Sequence, residues 1–158
     1  MNSLRIKNKD VYKIEVNDRG EYIEFDLNDI GLQVKCYETI EKMQQHEKEA
    51  MVKEKELAER IENEKLDFIE ANKLSVQLQN EIFEKARIIM DNFLGEGACQ
   101  KIFGDKNYFE MFDDLFDELS RKRPELGGKS HFDKMGFKAQ NINQRIMNKY
   151  KKGKKAVI

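Results

Sequence analysis

The side chains in this sequence best suited to chemistry are scattered, and each group is weighed by its spacing. Asp105, Asn107, Asp113, Asp114 and Asp117 crowd into one short stretch and invite a calcium-loop reading. A calcium loop needs oxygen ligands at alternate positions, glycine at the sixth and glutamate at the twelfth. Counted from Asp105, those places hold Glu110 and Phe116, so a solvated helical face accounts better for the acids. Residues 95–104, GEGACQKIFG, set glycines near Lys101, but they neither follow a strand nor match the phosphate-cradling GxxxxGK[ST] pattern. His46 and His131 are the only histidines, and neither lies at helical spacing from a ligand set. His46 reads as a surface position on a long helix, His131 as part of a basic tail. Cys99 sits near a glycine-flanked helix start, which favours a thiolate. It has no nearby histidine, however, and a small buried cysteine between Phe93 and Phe103 is the commoner case. No enzyme, cofactor or metal is expected.

The elements that position these residues are mostly helical. Residues 11–16 (VYKIEV) and 21–25 (EYIEF) alternate as strands do, and Asn17, Asp18 and Gly20 between them suit a tight hairpin turn. A lone hairpin is marginal in water, so it must pack on helices or pair through its edges with another chain. Asn28 or Asp29 caps a long helix over residues 32–72, rich in Glu, Lys and Gln. Its apolar seam includes Ile40, Met43, Leu57 and Ile61, but Glu47, Glu54 and Glu64 interrupt it. That seam either docks a partner helix or packs on residues 74–94 of the same chain. Residues 73–94 carry a fuller stripe, Leu74, Leu78, Ile82, Ala86, Ile89 and Phe93, closed by Gly95 and Gly97. A short helix ends at Gly104. An amphipathic helix follows over 107–122, with Asn107 as its cap and Tyr108, Met111, Phe112, Leu115 and Leu119 on one face. Pro124, Gly127 and Gly128 stop it.

The expected fold class is therefore mainly α (α+β). An N-terminal β-hairpin spans 1–31, a helical domain with two long antiparallel or extended helices spans 32–123, and a basic, mobile tail spans 124–158. One short helix is expected near 141–150. At 158 residues the chain suits one domain. Residues 121–158 hold 12 Lys/Arg against two acids, whereas residues 1–120 hold 17 against 28. An acidic body with a basic end suits partner binding or self-association. Arg145, Lys149, Lys151 and Lys152 are the tail residues expected to touch a partner. Nucleic acid is a second possible partner, with Phe132, Phe137 and Tyr150 interleaved among the basic residues for stacking. Cys36 and Cys99 form no disulfide framework or CxxC pair, and the start of the chain shows no secretory signal. No apolar run is long enough for a membrane span. A cytoplasmic location in a bacterial cell and no membrane contact are expected.

Residues 94–119, LGEGACQKIFGDKNYFEMFDDLFDEL, resemble a family. Small proteins of phages and prophages of Gram-positive bacteria carry a helix, a glycine-rich word before a Lys and a Phe-Gly pair, a short polar turn and a helix rich in Phe and acids. A short β segment with an FDLND-like word, here residues 25–29, and a Glu/Lys-rich helix precede these elements in the same order. The match is strongest over 91–119. Ala98 and Cys99 stand where threonine is typical. The resemblance implies a non-enzymatic tail assembly chaperone that binds the tape-measure protein while the tail tube polymerises. A self-associating structural virion component, and hence a homo-oligomer, is the other phage-derived reading.

Overall fold

A computed structural model describes residues 2–6, 11–26, 28–122 and 137–156. Its elements are β1 (Val11–Glu15), β2 (Tyr22–Asp26), α1 (Ile30–Asn63), α2 (Phe68–Leu94), α3 (Ala98–Phe103) and α4 (Met111–Lys122). A 3-10 turn (Lys138–Asn141) then leads into α5 (Ile142–Ala156). The mainly α layout with an N-terminal hairpin is the one expected.

The hairpin is antiparallel, with Tyr12 opposite Phe25 and Ile14 opposite Ile23. Asn17 builds its turn: Oδ1 accepts from the Arg19 and Glu21 amides at 2.9 and 3.3 Å. Gly20 takes φ +77°, where a side chain is strained. Asn17 Nδ2 also donates to the Lys101 carbonyl at 3.0 Å, tying the turn to α3. Ile23 and Phe25 are buried, and Phe25 packs on Phe93 with ring centroids 5.9 Å apart. Of the two fates open to the hairpin, packing on the helices is the one observed.

Helices α1 and α2 fold back on each other. His46 meets Ile82 and Glu49 meets Lys85 across them. The two helices run antiparallel, because Glu47 and Glu54 meet Ala139 and Arg145 in the same chain direction, whereas Asn72 and Phe68 meet Asn143 and Tyr150 in the opposite one. The turn between them lies at residues 64–67, earlier than the expected helix end at 72. It uses no glycine. Lys65 occupies the left-handed region at φ +51°. The Leu66 amide bonds the Ile61 carbonyl and the Lys65 amide bonds the Glu62 carbonyl, the paired bonds of a Schellman motif. Asp67 then caps α2 by accepting from the Glu70 amide at 2.8 Å. A left-handed lysine costs about 1 kcal/mol relative to glycine. Lys65→Gly is therefore expected to stabilise the protein by about 1 kcal/mol, raising its melting temperature by roughly 2–4 °C. An unchanged or lower midpoint in thermal unfolding would count against the motif.

Residues 137–156, expected within the mobile tail, are packed into the body. Phe137, Ala139, Ile142, Ile146 and Met147 are buried. Helix α5 runs antiparallel to α2: Asn143 bonds Ser75, and Asn72 at 3.0 Å, while Tyr150 meets Phe68 edge-on at 6.1 Å. It also lies beside α1, where Arg145 Nε donates to Glu54 Oε1 at 2.9 Å. The expected helix is thus present, extends to Ala156, and completes a three-helix layer. The sequence pattern hid this because the anchors are far apart in the chain. Glu47 accepts from the Ala139 amide at 3.2 Å, and Asp113 accepts from the Phe137 amide at 3.2 Å and from Gln140 Nε2 at 2.8 Å. Residues 123–136, including His131 and Phe132, lie outside the described residues.

The core is aromatic at one end. Phe83, Phe103, Phe112 and Phe137 interlock with centroid distances of 5.3–5.9 Å. Helix α4 begins at Met111, four residues later than expected, and buries Met111, Phe112, Leu115, Phe116 and Leu119. Tyr108 and Phe109 stay outside it and remain exposed.

Candidate functional site

The residues picked out as chemically capable are dispersed in the fold and mostly structural. His46 is buried at 4 % exposure, contrary to its reading as a surface residue. It sits on the seam between Met43 and Ala50, where its Nε2–H donates to the Ile82 carbonyl at 2.9 Å and its ring stacks on Phe137. Its Nδ1 is buried with no hydrogen-bond partner among the described residues. Burial pushes its pKa below the ordinary imidazole value; the Ile82 carbonyl opposes that shift and Lys85 adds to it. Glu47, next along α1, is pushed the other way, upward by burial, against the Ala139 amide and Arg145.

These two shifts have opposite consequences for stability. With His46 depressed, the unfolded chain binds the proton first, so stability is lost as pH falls below about 6.5. With Glu47 raised, stability is gained as pH falls through its folded pKa toward the usual carboxylate value. His46→Gln keeps an N–H for Ile82 and removes one of the two titrations. Between pH 6.5 and 5.5 the wild type is expected to lose up to about 1 kcal/mol relative to this variant in urea unfolding. Parallel pH profiles for the two proteins would contradict the burial account.

Cys36 and Cys99 are both buried, and neither forms a disulfide. Burial holds the Cys36 thiol up at about 11, and burial with the nearby Asp91 carboxylate raises Cys99 further. Asp91 also accepts from the Cys99 amide at 2.8 Å and so fixes the start of α3. Among the described residues no group of three His, Cys, Asp or Glu side chains converges as a metal site. No helix of the described residues is long and apolar enough to cross a membrane.

A cleft lies at the turn end of the helical hairpin. Its volume is about 1090 Å³. The C-terminal third of α1, the turn at 64–67 and residues 146–153 of α5 line it. Ala58, Ile61, Leu66, Ile146 and Tyr150 supply its apolar surface, and Lys55, Glu59, Glu62, Lys65, Asp67 and Lys149 its charged margins. Gly153 lines it from α5. Phe68, half exposed, and Ile69, 76 % exposed, lie next to it at the start of α2.

The residues expected to touch a partner divide between the core, this cleft and the exposed surface of α5. Ile40 and Met43 are buried in the monomer, so the α1 seam there is satisfied by the chain itself. Leu57 is half-buried against the core. Ile61 is buried from solvent yet contributes to the cleft wall, and Lys149 stands at its margin. Arg145 is held by Glu54 and by the Lys138 carbonyl at 2.8 Å, an internal anchor. Lys151 and Lys152 are exposed on α5. Phe137, offered for base stacking, is 1 % exposed and closed to that role. Tyr150, offered for base stacking, is half-buried in this cleft, and Ala58, Leu66, Ile146 and Gly153 carry no sequence-based expectation. The spacing of Ile142, Ile146 and Tyr150, with one glycine beyond, is the signal that marks them.

The fold and cleft define a small, mainly α-helical protein with an N-terminal β-hairpin, built on a helical hairpin clamped by α5, with a partly apolar cleft and dispersed structural polar groups. The chain belongs to the family of unknown function DUF6673, whose profile matches residues 19–156. Neither a curated protein nor a solved structure matches it.

Proposed function

We propose that this protein is a non-enzymatic phage or prophage tail assembly chaperone that holds the tape-measure protein during tail assembly in the bacterial cytoplasm. The observation that carries this reading is the open cleft. In this cleft Leu66 and Tyr150 stay part-exposed above the buried Ile61 and Ile146, on one concave face with charged margins, a shape that receives the apolar stripe of a helix. The sequence resemblance over residues 91–119 supplies the phage context. The work is steric: apolar helical surface of the partner is covered until the tail tube encloses it, and no bond is made or broken.

Co-expression with the tape-measure protein of the same gene cluster tests the reading. A soluble complex, with the tape-measure protein insoluble alone, is the expected result. A tape-measure protein that stays insoluble while this chain elutes by itself would remove the chaperone role.

A further inference from the structure

We propose that the cleft between α1 and α5 takes one amphipathic partner helix, oriented so that an acidic edge of that helix lies along α5. The identity of the partner rests on the chaperone reading; the chemistry of the groove does not.

Three observations fix the occupant. The floor is apolar, and its contributors come from two helices and a turn, so it is a trough and suits the stripe of a helix. The two walls differ in charge. From α5 the cleft receives one charged side chain, Lys149, and no acid, and Lys151 and Lys152 are exposed further along the same helix. The opposite wall places Glu59, Glu62 and Asp67 beside Lys55 and Lys65. Arg145 is already engaged by Glu54, whereas Lys149 faces the cleft with no ion pair among the described residues. A helix carrying acids on one flank and lysines on the other meets both walls with complementary charge.

Gly153 is the third observation. Glycine is the least favourable helix residue apart from proline. Here its dihedrals are ordinary, and a Cβ built on it meets no heavy atom within 4 Å. Neither the backbone nor the packing of the described residues calls for a glycine. Its absent side chain instead leaves the α5 lip open, where the backbone of a docked helix can approach.

The test uses the full chain and a synthetic 21-residue helix with leucines at i, i+3, i+4 and i+7, glutamates along one flank and lysines along the other. A second peptide carries lysines on both flanks. By fluorescence anisotropy, the Glu/Lys peptide is expected to bind at least about tenfold tighter than the Lys/Lys peptide. Gly153→Phe fills the lip and should weaken binding about tenfold or more. Gly153→Ala adds the Cβ alone, keeps the helix, and should weaken binding by clearly less than Gly153→Phe. Lys149→Glu should weaken the Glu/Lys peptide and strengthen the Lys/Lys one, a reversal that a merely structural lysine would not give. Equal binding of the two peptides, or undiminished binding by a folded Gly153→Phe, overturns the proposal. So does displacement of the peptide by single-stranded DNA with a steep salt dependence.

The same variants in co-expression separate the two readings. Tape-measure protein solubilised equally by wild type and Gly153→Phe keeps the chaperone and overturns the groove. Peptide binding that is lost in Gly153→Phe, with the tape-measure protein insoluble even beside wild type, keeps the groove and removes the chaperone.

Discussion

Replacing Phe137 with alanine is expected to cost about 3–5 kcal/mol, a large share of the roughly 5–15 kcal/mol that holds a domain of this size together. The ring is 1 % exposed and touches three others: Phe83 and Phe112 edge-on, each at 5.3 Å, and His46 in a stack at 6.5 Å. Removing it deletes the transfer energy of a buried phenyl and leaves a cavity into which the surrounding core relaxes only in part. Aromatic pairs of this geometry add about 0.5–1.5 kcal/mol each beyond their burial. The loss should also be directional. Phe137 begins the segment that returns across the hairpin, and its amide is held by Asp113 at 3.2 Å. Hydrogen exchange should therefore show α5 opening below the global unfolding energy in the variant, while the amides of α1 and α2 remain protected. Urea unfolding measures the total. A loss under about 1 kcal/mol, or uniform loss of protection, would mean that the segment is held elsewhere.

How legible was such a keystone? The local elements could be read from sequence because their signals are local. Asn17 and Gly20 make the hairpin turn, Asp29 caps α1 by accepting from the Gly31 amide at 2.8 Å, and Gly95 and Gly104 end α2 and α3. The turn between α1 and α2 was missed because Lys65 stands where glycine would advertise it. The C-terminal segment was misread for a subtler reason. Glu47 and Glu54 look like breaks in an apolar seam, but Glu47 receives the Ala139 amide and Glu54 receives Arg145. The residues that made the seam look thin are the anchors of the helix that covers it. Such pairings, about 90 residues apart, leave no periodic trace. The cleft was half legible: Ile61 and Lys149 were chosen for hydrophobicity and charge, while Leu66 and Gly153 acquire meaning only once the turn and α5 meet.

Replacing Arg87 with methionine is expected to cost about 3 kcal/mol, and the site explains why the stretch between α3 and α4 is built as it is. Arg87 is 8 % exposed, with Nε donating to Asn107 Oδ1 at 2.7 Å and Nη2 to the Lys106 carbonyl at 2.5 Å. Hydrogen bonds from a charged donor are worth about 1.5–3 kcal/mol, and methionine replaces the stem but not the donors. Asn107, expected as a helix cap, instead passes the connection on. Its Nδ2 reaches Asn80 at 2.9 Å and Glu84 at 2.8 Å, both on α2. The guanidinium also lies over the Phe103 ring at 5.8 Å. One side chain of α2 thus holds the end of α3 and the loop that follows it, and Tyr108 and Phe109 stand exposed at the end of that loop. If the loop is held through this pair, Arg87→Met and Asn107→Ala will not add. A double-mutant cycle should return a coupling of about 1–3 kcal/mol, and proteolysis should speed up within residues 104–110 in each single variant. Additive losses would instead place the restraint in the packing of Phe103 on Phe112. In that case Arg87 would contribute through its buried stem alone, and methionine would replace it at little cost.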